Sequence, residues 1–128
     1  MDFLKALGGW LWTLPLSLAY LPIVLTYGPR RWSLRDGLLC VVVDRIWIGY
    51  ESTAGQTVGS VIAIEAHAAT SGRLWRHERH HARRQFWIYG MLFPFMYGAA
   101  SIVAAMRGGN WYWDNRYEIE ARAAEDVT

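Results

Sequence analysis

Residues 73–86, RLWRHERHHARRQF, decide how the rest of this 128-residue chain is read. Within them His77-Glu78-Arg79-His80-His81 places two histidines four apart. On a helix, residues at that spacing stand one above the other on one face, so both imidazoles can reach a single metal ion. Glu78 follows the first of them by about 100° around the helix, which sets its carboxylate beside such an ion as a general base. Working outward, β-branched and aromatic runs precede this segment and helical patterns come after it. The chain therefore reads as α+β: an apolar N-terminal helical segment, a small antiparallel sheet, an HExxH helix and a helical C-terminal part.

A chain of this length supports one core. Net charge is only +2, with cations bunched in residues 30–45 and 73–84 and a mostly acidic tail. Cys40 is the single cysteine, set in the apolar run LLCVVV, and reads as a small buried hydrophobe. The hydrophobic fraction is 53%, with eight tryptophans, and it concentrates in two charge-free stretches, residues 6–29 and 85–106. The first is long enough to cross a bilayer, and Pro15 or Pro22 should break it into two helical pieces. Lys5 is a thin positive region and the apolar run is long, which argues against a cleavable signal. Residues 1–29 form a candidate membrane anchor, with packing on a soluble core as the other reading, and residues 30–128 form the domain. Trp10, Trp12, Tyr20 and Tyr27 suit an interfacial belt, and Arg30, Arg31 and Arg35 favour a cytoplasmic position for the domain.

LLCVVV (38–43), RIWIGY (45–50) and VGSVIAIEA (58–66) read as strands, with a turn in residues 51–57. In the third, Val58, Ser60, Ile62 and Ile64 share one face, and Gly59, Val61, Ala63 and Glu65 the other. At a sheet edge beside the metal, this strand could pair with an extended peptide. Thr70 or Ser71 is placed to cap the HExxH helix, which should run to about Ile88. Pro94 suits the first turn of a further helix reaching Met106 and closed by Gly108-Gly109. Residues 110–114 form an aromatic loop and residues 115–125 a last helix.

Two histidines need a third protein ligand. Asp114, Glu118 and Glu120 are the candidates, with Glu118 preferred. Asn115 with Glu118 three residues on is also a capping-box pattern, in which the glutamate would serve only a backbone N–H. Asp114 or Glu120 could receive the outer N–H of a ligating imidazole. His80 reads as an outer neighbour of the ion or as exposed, and His67 as a loop histidine. Tyr112 and Tyr117 are candidate donors to an oxyanion, or packing residues.

WRHERHH and YWDNRYEIEA together resemble a group of small bacterial zincin-like proteins, and more broadly the gluzincin branch of metallopeptidases. The likeness covers about the last seventy residues. It implies a zinc ion held by His77, His81 and Glu118, with Glu78 as general base. His80 stands where an apolar residue is expected, and Gln85 falls one position later than the glutamine expected after the motif. For His77 and Glu118 to meet, residues 85–106 must turn back rather than cross a bilayer, and Gly90, Pro94 and Gly98 offer places to do so.

The expectation is a zinc metallopeptidase acting on a peptide or protein, associated with a bacterial inner membrane, its catalytic part cytoplasmic. The rival is a non-enzymatic protein whose Arg/His-rich residues 73–84 sit on lipid, the flanking aromatics favouring lipid over nucleic acid. A zincin fold that holds metal without turnover is the third reading.

Overall fold

The computed structural model describes residues 3–49 and 53–126. Its sheet has four strands, β1 (Pro29–Arg35), β2 (Leu38–Val43), β3 (Gly55–Val58) and β4 (Val61–Glu65), in the order β1-β2-β4-β3. The β1-β2 and β3-β4 pairs are antiparallel, but the central pair, β2 with β4, is parallel, so the sheet is mixed rather than wholly antiparallel. The cause lies after β2. Residues 45–49 do not form the expected strand, and Tyr50, the last residue of that run, lies outside the described residues together with the first two of the expected turn.

Instead the segment crosses the end of the sheet, pinned by the Asp44 amide to the Tyr27 carbonyl and by the Ile46 amide to the Glu65 carboxylate. The chain next forms β3 on the far edge, and the hairpin from β3 brings β4 back between β3 and β2, parallel to β2. β4 takes the central place because VIAIE is the more apolar run: Val61, Ile62, Ala63 and Ile64 are all buried. The expected strand 58–66 is accordingly two strands with a turn at Gly59-Ser60. Gly59 has φ +64°, and a Cβ there would come within 2.5 Å of Ser17 Oγ. β3, not β4, lies at an edge of the sheet, with β1 at the other.

Both faces of the sheet are covered, which is why the central strands are apolar without alternation. Val61 and Ala63 pack with Val41 and Val43 against Tyr20 and Val24 of helix α1 (Phe3–Leu25). Ile62 and Ile64 pack with Leu38 and Cys40 against Trp75 of helix α2 (Gly72–His80). The face assignment read for residues 61–64 therefore holds. α1 is one helix through Pro15 and Pro22, not two pieces. Of the four aromatics expected at a lipid interface, Trp10 bonds the Gly37 carbonyl and Tyr20 and Tyr27 both donate to Gln56 Oε1, all turned inward; only Trp12 is exposed.

Ser71 caps α2, accepting from the Leu74 amide at 3.2 Å. The helix then widens into a π turn, His81–Phe86, and continues as the short α3 (Trp87–Tyr89). At Gly90, φ +57° and ψ −132°, it ends, and after one 3-10 turn α4 (Phe93–Met106) carries the chain back towards α5 (Arg116–Ala124). The reversal is held by reciprocal contacts. A Cβ on Gly90 would lie 2.2 Å from the Trp12 indole, and one on Gly9 would lie 2.3 Å from that of Trp87. Trp87 Nε1 donates to Ser60 Oγ at 2.8 Å, which tethers the same place to the sheet.

Two helical stretches, Phe3–Leu25 and Gly72–Met106, are long and apolar enough to cross a membrane. In α1 the inward residues are mostly small or polar (Ala6, Gly9, Thr13, Ser17), while Phe3, Leu4, Leu11 and Leu18 face outward. α4 likewise exposes Phe95, Ile102 and Met106.

Candidate metal centre

α2 and the π turn that continues it bring His77 and His81 to one buried spot, and the return of the chain through α4 brings Glu118 of α5 to the same spot. His77 Nε2 lies 2.9 Å and His81 Nε2 3.1 Å from Glu118 Oε1, and the two nitrogens are 3.2 Å apart. Four donors at 2.0–2.1 Å around a tetrahedral ion would stand about 3.3 Å from one another. The observed triangle has nearly that edge.

The outer ring nitrogens decide what the inner ones can do. His77 Nδ1 is 3.2 Å from Glu125 Oε1, a carboxylate that only accepts, so Nδ1 carries the proton. His81 Nδ1 is 2.6 Å from Gln85 Oε1; the amide end of Gln85 is committed to the Tyr117 carbonyl at 3.0 Å and to Glu120 at 3.2 Å, so the oxygen faces the ring and Nδ1 again donates. In the neutral imidazoles both Nε2 atoms then present lone pairs, aimed at a carboxylate oxygen that also has only lone pairs. Three acceptors converging in a buried place require a cation, either a metal ion or added protons. In the metal-free protein, burial works against a charged His81, but the hydrogen bond and charge of Glu118, with Glu78, prevail and raise it to about 9. Burial would likewise raise Glu118, yet its contacts with His77 and His81 hold it well below the usual carboxylate range.

Gln85 stands four residues after His81, within the π turn, and so faces the imidazole although it falls one place later than the glutamine expected after the motif. Glu78 is buried one side of the cluster, its Oε2 4.0 Å from His77 Nε2 and its Oε1 accepting from Thr57 Oγ1 of β3 at 2.8 Å. Burial pushes its carboxyl above the ordinary value against the pull of His81 and His77.

Glu118 is not a capping residue: Asn115 caps α5 alone, accepting from the Tyr117 amide at 2.9 Å, and the Glu118 carboxylate points at the histidines. Asp114 is not at the site; it accepts from the Asn110 amide at 2.7 Å and closes the aromatic loop. Glu120 touches neither ligating ring and is linked to His81 through Gln85, so the outer N–H groups are received by Glu125 and Gln85 rather than by Asp114 or Glu120. His80 turns off the cluster, its Nε2 3.8 Å from Glu120. His67 is on the surface beside Glu65, at 2.8 Å. Tyr117 packs with Phe86 and Phe93.

Tyr112 lines a cavity of about 460 Å³ that opens onto Glu78, His81 and Glu118, walled otherwise by Leu16, Val58, Phe93 and Tyr97. Burial and the nearby Glu118 raise the Tyr112 phenol, which keeps its proton. Tyr97, which nothing in the sequence singles out, donates to Glu118 Oε2 at 2.6 Å and fixes the carboxylate's second oxygen. No family model matches the chain, and neither does any curated protein or solved structure.

Proposed function

We propose that the chain is a zinc-dependent peptidase of the gluzincin type, acting at a membrane, by inference a bacterial inner membrane with the metal centre on its cytoplasmic side. The observation that carries this reading is the convergence of three lone-pair donors, His77 Nε2, His81 Nε2 and Glu118 Oε1, with the outer nitrogens of both rings already engaged. Two imidazoles and one carboxylate with a remaining open direction are the donor set of hydrolytic zinc sites. A zinc ion held there would supply Lewis acidity, polarising the scissile carbonyl and acidifying a water molecule.

The chain's own residues supply the rest. Glu78, oriented by Thr57 and raised by burial, accepts the proton of the attacking water and passes it to the leaving amine. Tyr112, protonated and on the cavity wall, can donate to an oxyanion formed there. β3 is an edge strand with Thr57 beside Glu78, so an extended substrate can pair with its free side. The apolar cavity beside it selects a peptide with a large hydrophobic side chain near the cleaved bond.

The test is peptide hydrolysis by zinc-loaded protein on a mixture of unstructured peptides, read by mass spectrometry. Wild type should cut beside large apolar residues. Glu78→Gln should keep its zinc and lose at least about a hundredfold in rate. Equal cleavage by both proteins, or none by either with zinc bound, would contradict the proposal.

A further inference from the structure

Both apolar stretches pass a length test for crossing a bilayer, yet their packing does not suit crossing. α1 is about 34 Å long, and along all of it one face, from Ala6 through Gly9, Thr13, Ser17 and Tyr20 to Val24, is buried against the protein. A helix so covered could cross only by drawing the sheet into the hydrocarbon. The opposite face, with Leu7, Leu11, Leu14, Leu18 and Leu25, is exposed along the same length. The second stretch bends at Gly90, and α4 alone reaches about 21 Å, short of the roughly 30 Å of a hydrocarbon core.

Charge gives a second, independent line. At the N-terminal end of α1 lies an open groove of about 950 Å³, in which Lys5 meets Arg76, Arg79, Arg83 and Arg84; Glu120 is the one carboxylate lining it, while Arg79 pairs with Asp36 at 3.2 Å and Arg76 donates to the Glu125 carbonyl at 2.6 Å. Its apolar margin includes Trp87 and Ile88, so it offers cations and hydrocarbon contact together. Past the other end of α1, Arg30, paired with Asp44, and Arg31 stand exposed at the start of β1. A spanning helix is expected to carry its cations mainly on one side; here both ends are basic.

We propose that the protein lies in one leaflet of an anionic bilayer rather than across it, with the outer face of α1 and the exposed apolar residues of α4 in the acyl region. The groove formed by Lys5, Arg76, Arg79, Arg83 and Arg84 receives an anionic phospholipid headgroup. This needs no turnover at the metal centre.

The test adds the full-length protein to preformed phosphatidylcholine vesicles with and without phosphatidylglycerol. Binding should be strong only with phosphatidylglycerol, and the triple substitution Lys5→Gln, Arg83→Gln, Arg84→Gln should weaken it about a hundredfold, near tenfold or less per cation removed. The same substitutions should leave the weak binding to neutral vesicles unchanged. In a Cys40→Ala background, cysteines at Ala123, beside the groove, and at Arg31, past the far end of α1, should both react from outside with a charged, impermeant thiol reagent. Reaction at only one of them before detergent is added would mean that α1 crosses, and equal binding to neutral and anionic vesicles would mean that the groove reads no headgroup. Either result overturns the proposal.

Discussion

Replacing Gly90 by alanine should cost about 4 kcal/mol of stability. Two causes add. At φ +57° and ψ −132° the backbone occupies a region open mainly to glycine, and holding another residue there costs about 1–3 kcal/mol. The new Cβ would also come 2.2 Å from the Trp12 indole, so the ring must leave its seat, an overpacking cost of about 1–3 kcal/mol. Urea unfolding of Gly90→Ala in the wild-type and Trp12→Ala backgrounds separates the two. With Trp12 absent only the backbone part should remain, about 2 kcal/mol. The reversal at Gly90 also brings α5 back to α2, so metal affinity should fall with stability in the single variant. A total loss below about 1 kcal/mol would refute the claim that glycine is required for the reversal. The same loss in both backgrounds would refute the packing of Trp12 on it.

Glu125→Ala and Gln85→Ala each remove the acceptor that orients one ligating imidazole, and each should weaken metal binding about 10–100-fold without abolishing it, as read by competition with a chromogenic chelator. Raising pH should destabilise the metal-free protein: His81 is raised from 6.5 to about 9, so its contribution is complete below the lower value and lost as pH passes the upper one. The loss should approach roughly 3 kcal/mol at most, and bound metal should remove it; a metal-free stability that rises from about pH 7 to 10 would contradict this. Glu118 has the opposite sign, held below its ordinary 4.5, so its contribution persists at neutral pH and disappears only in strong acid. Gly9→Leu, whose Cβ would meet Trp87 at 2.3 Å, should destabilise by about 2 kcal/mol or more, measured by thermal unfolding.

The candidate metal-binding helix is legible in the sequence because its chemistry lies in local spacing: the four-residue step from His77 to His81 fixes a shared face whatever surrounds them. Glu118 can be preferred from the sequence but not separated from a capping role, since only the return of the chain at Gly90 decides that it meets the histidines instead of capping α5. Glu125 does leave a signal. It stands seven residues after Glu118, on the same face of one helix, and is hidden by a tail that reads simply as acidic. Tyr97 leaves none, being one hydroxyl in an apolar helix whose partner lies 21 residues away.

In the sheet, Asp36-Gly37 is a strong hairpin signal, and both residues take positive φ, 52° and 78°. It is easily missed because β1, PRRWSLR, is almost wholly exposed and shows no apolar alternation. RIWIGY reads as a strand on β propensity alone, which says nothing of whether a neighbouring strand is free to pair.

The central claim is that His77, His81 and Glu118 hold one metal ion, and elemental analysis of the purified protein tests it most directly. Wild type and Glu78→Gln should each carry about one zinc per chain, while His77→Ala and Glu118→Ala should carry little or none. Wild type prepared without chelator and free of metal, or zinc kept undiminished after loss of His77 or Glu118, would contradict the claim.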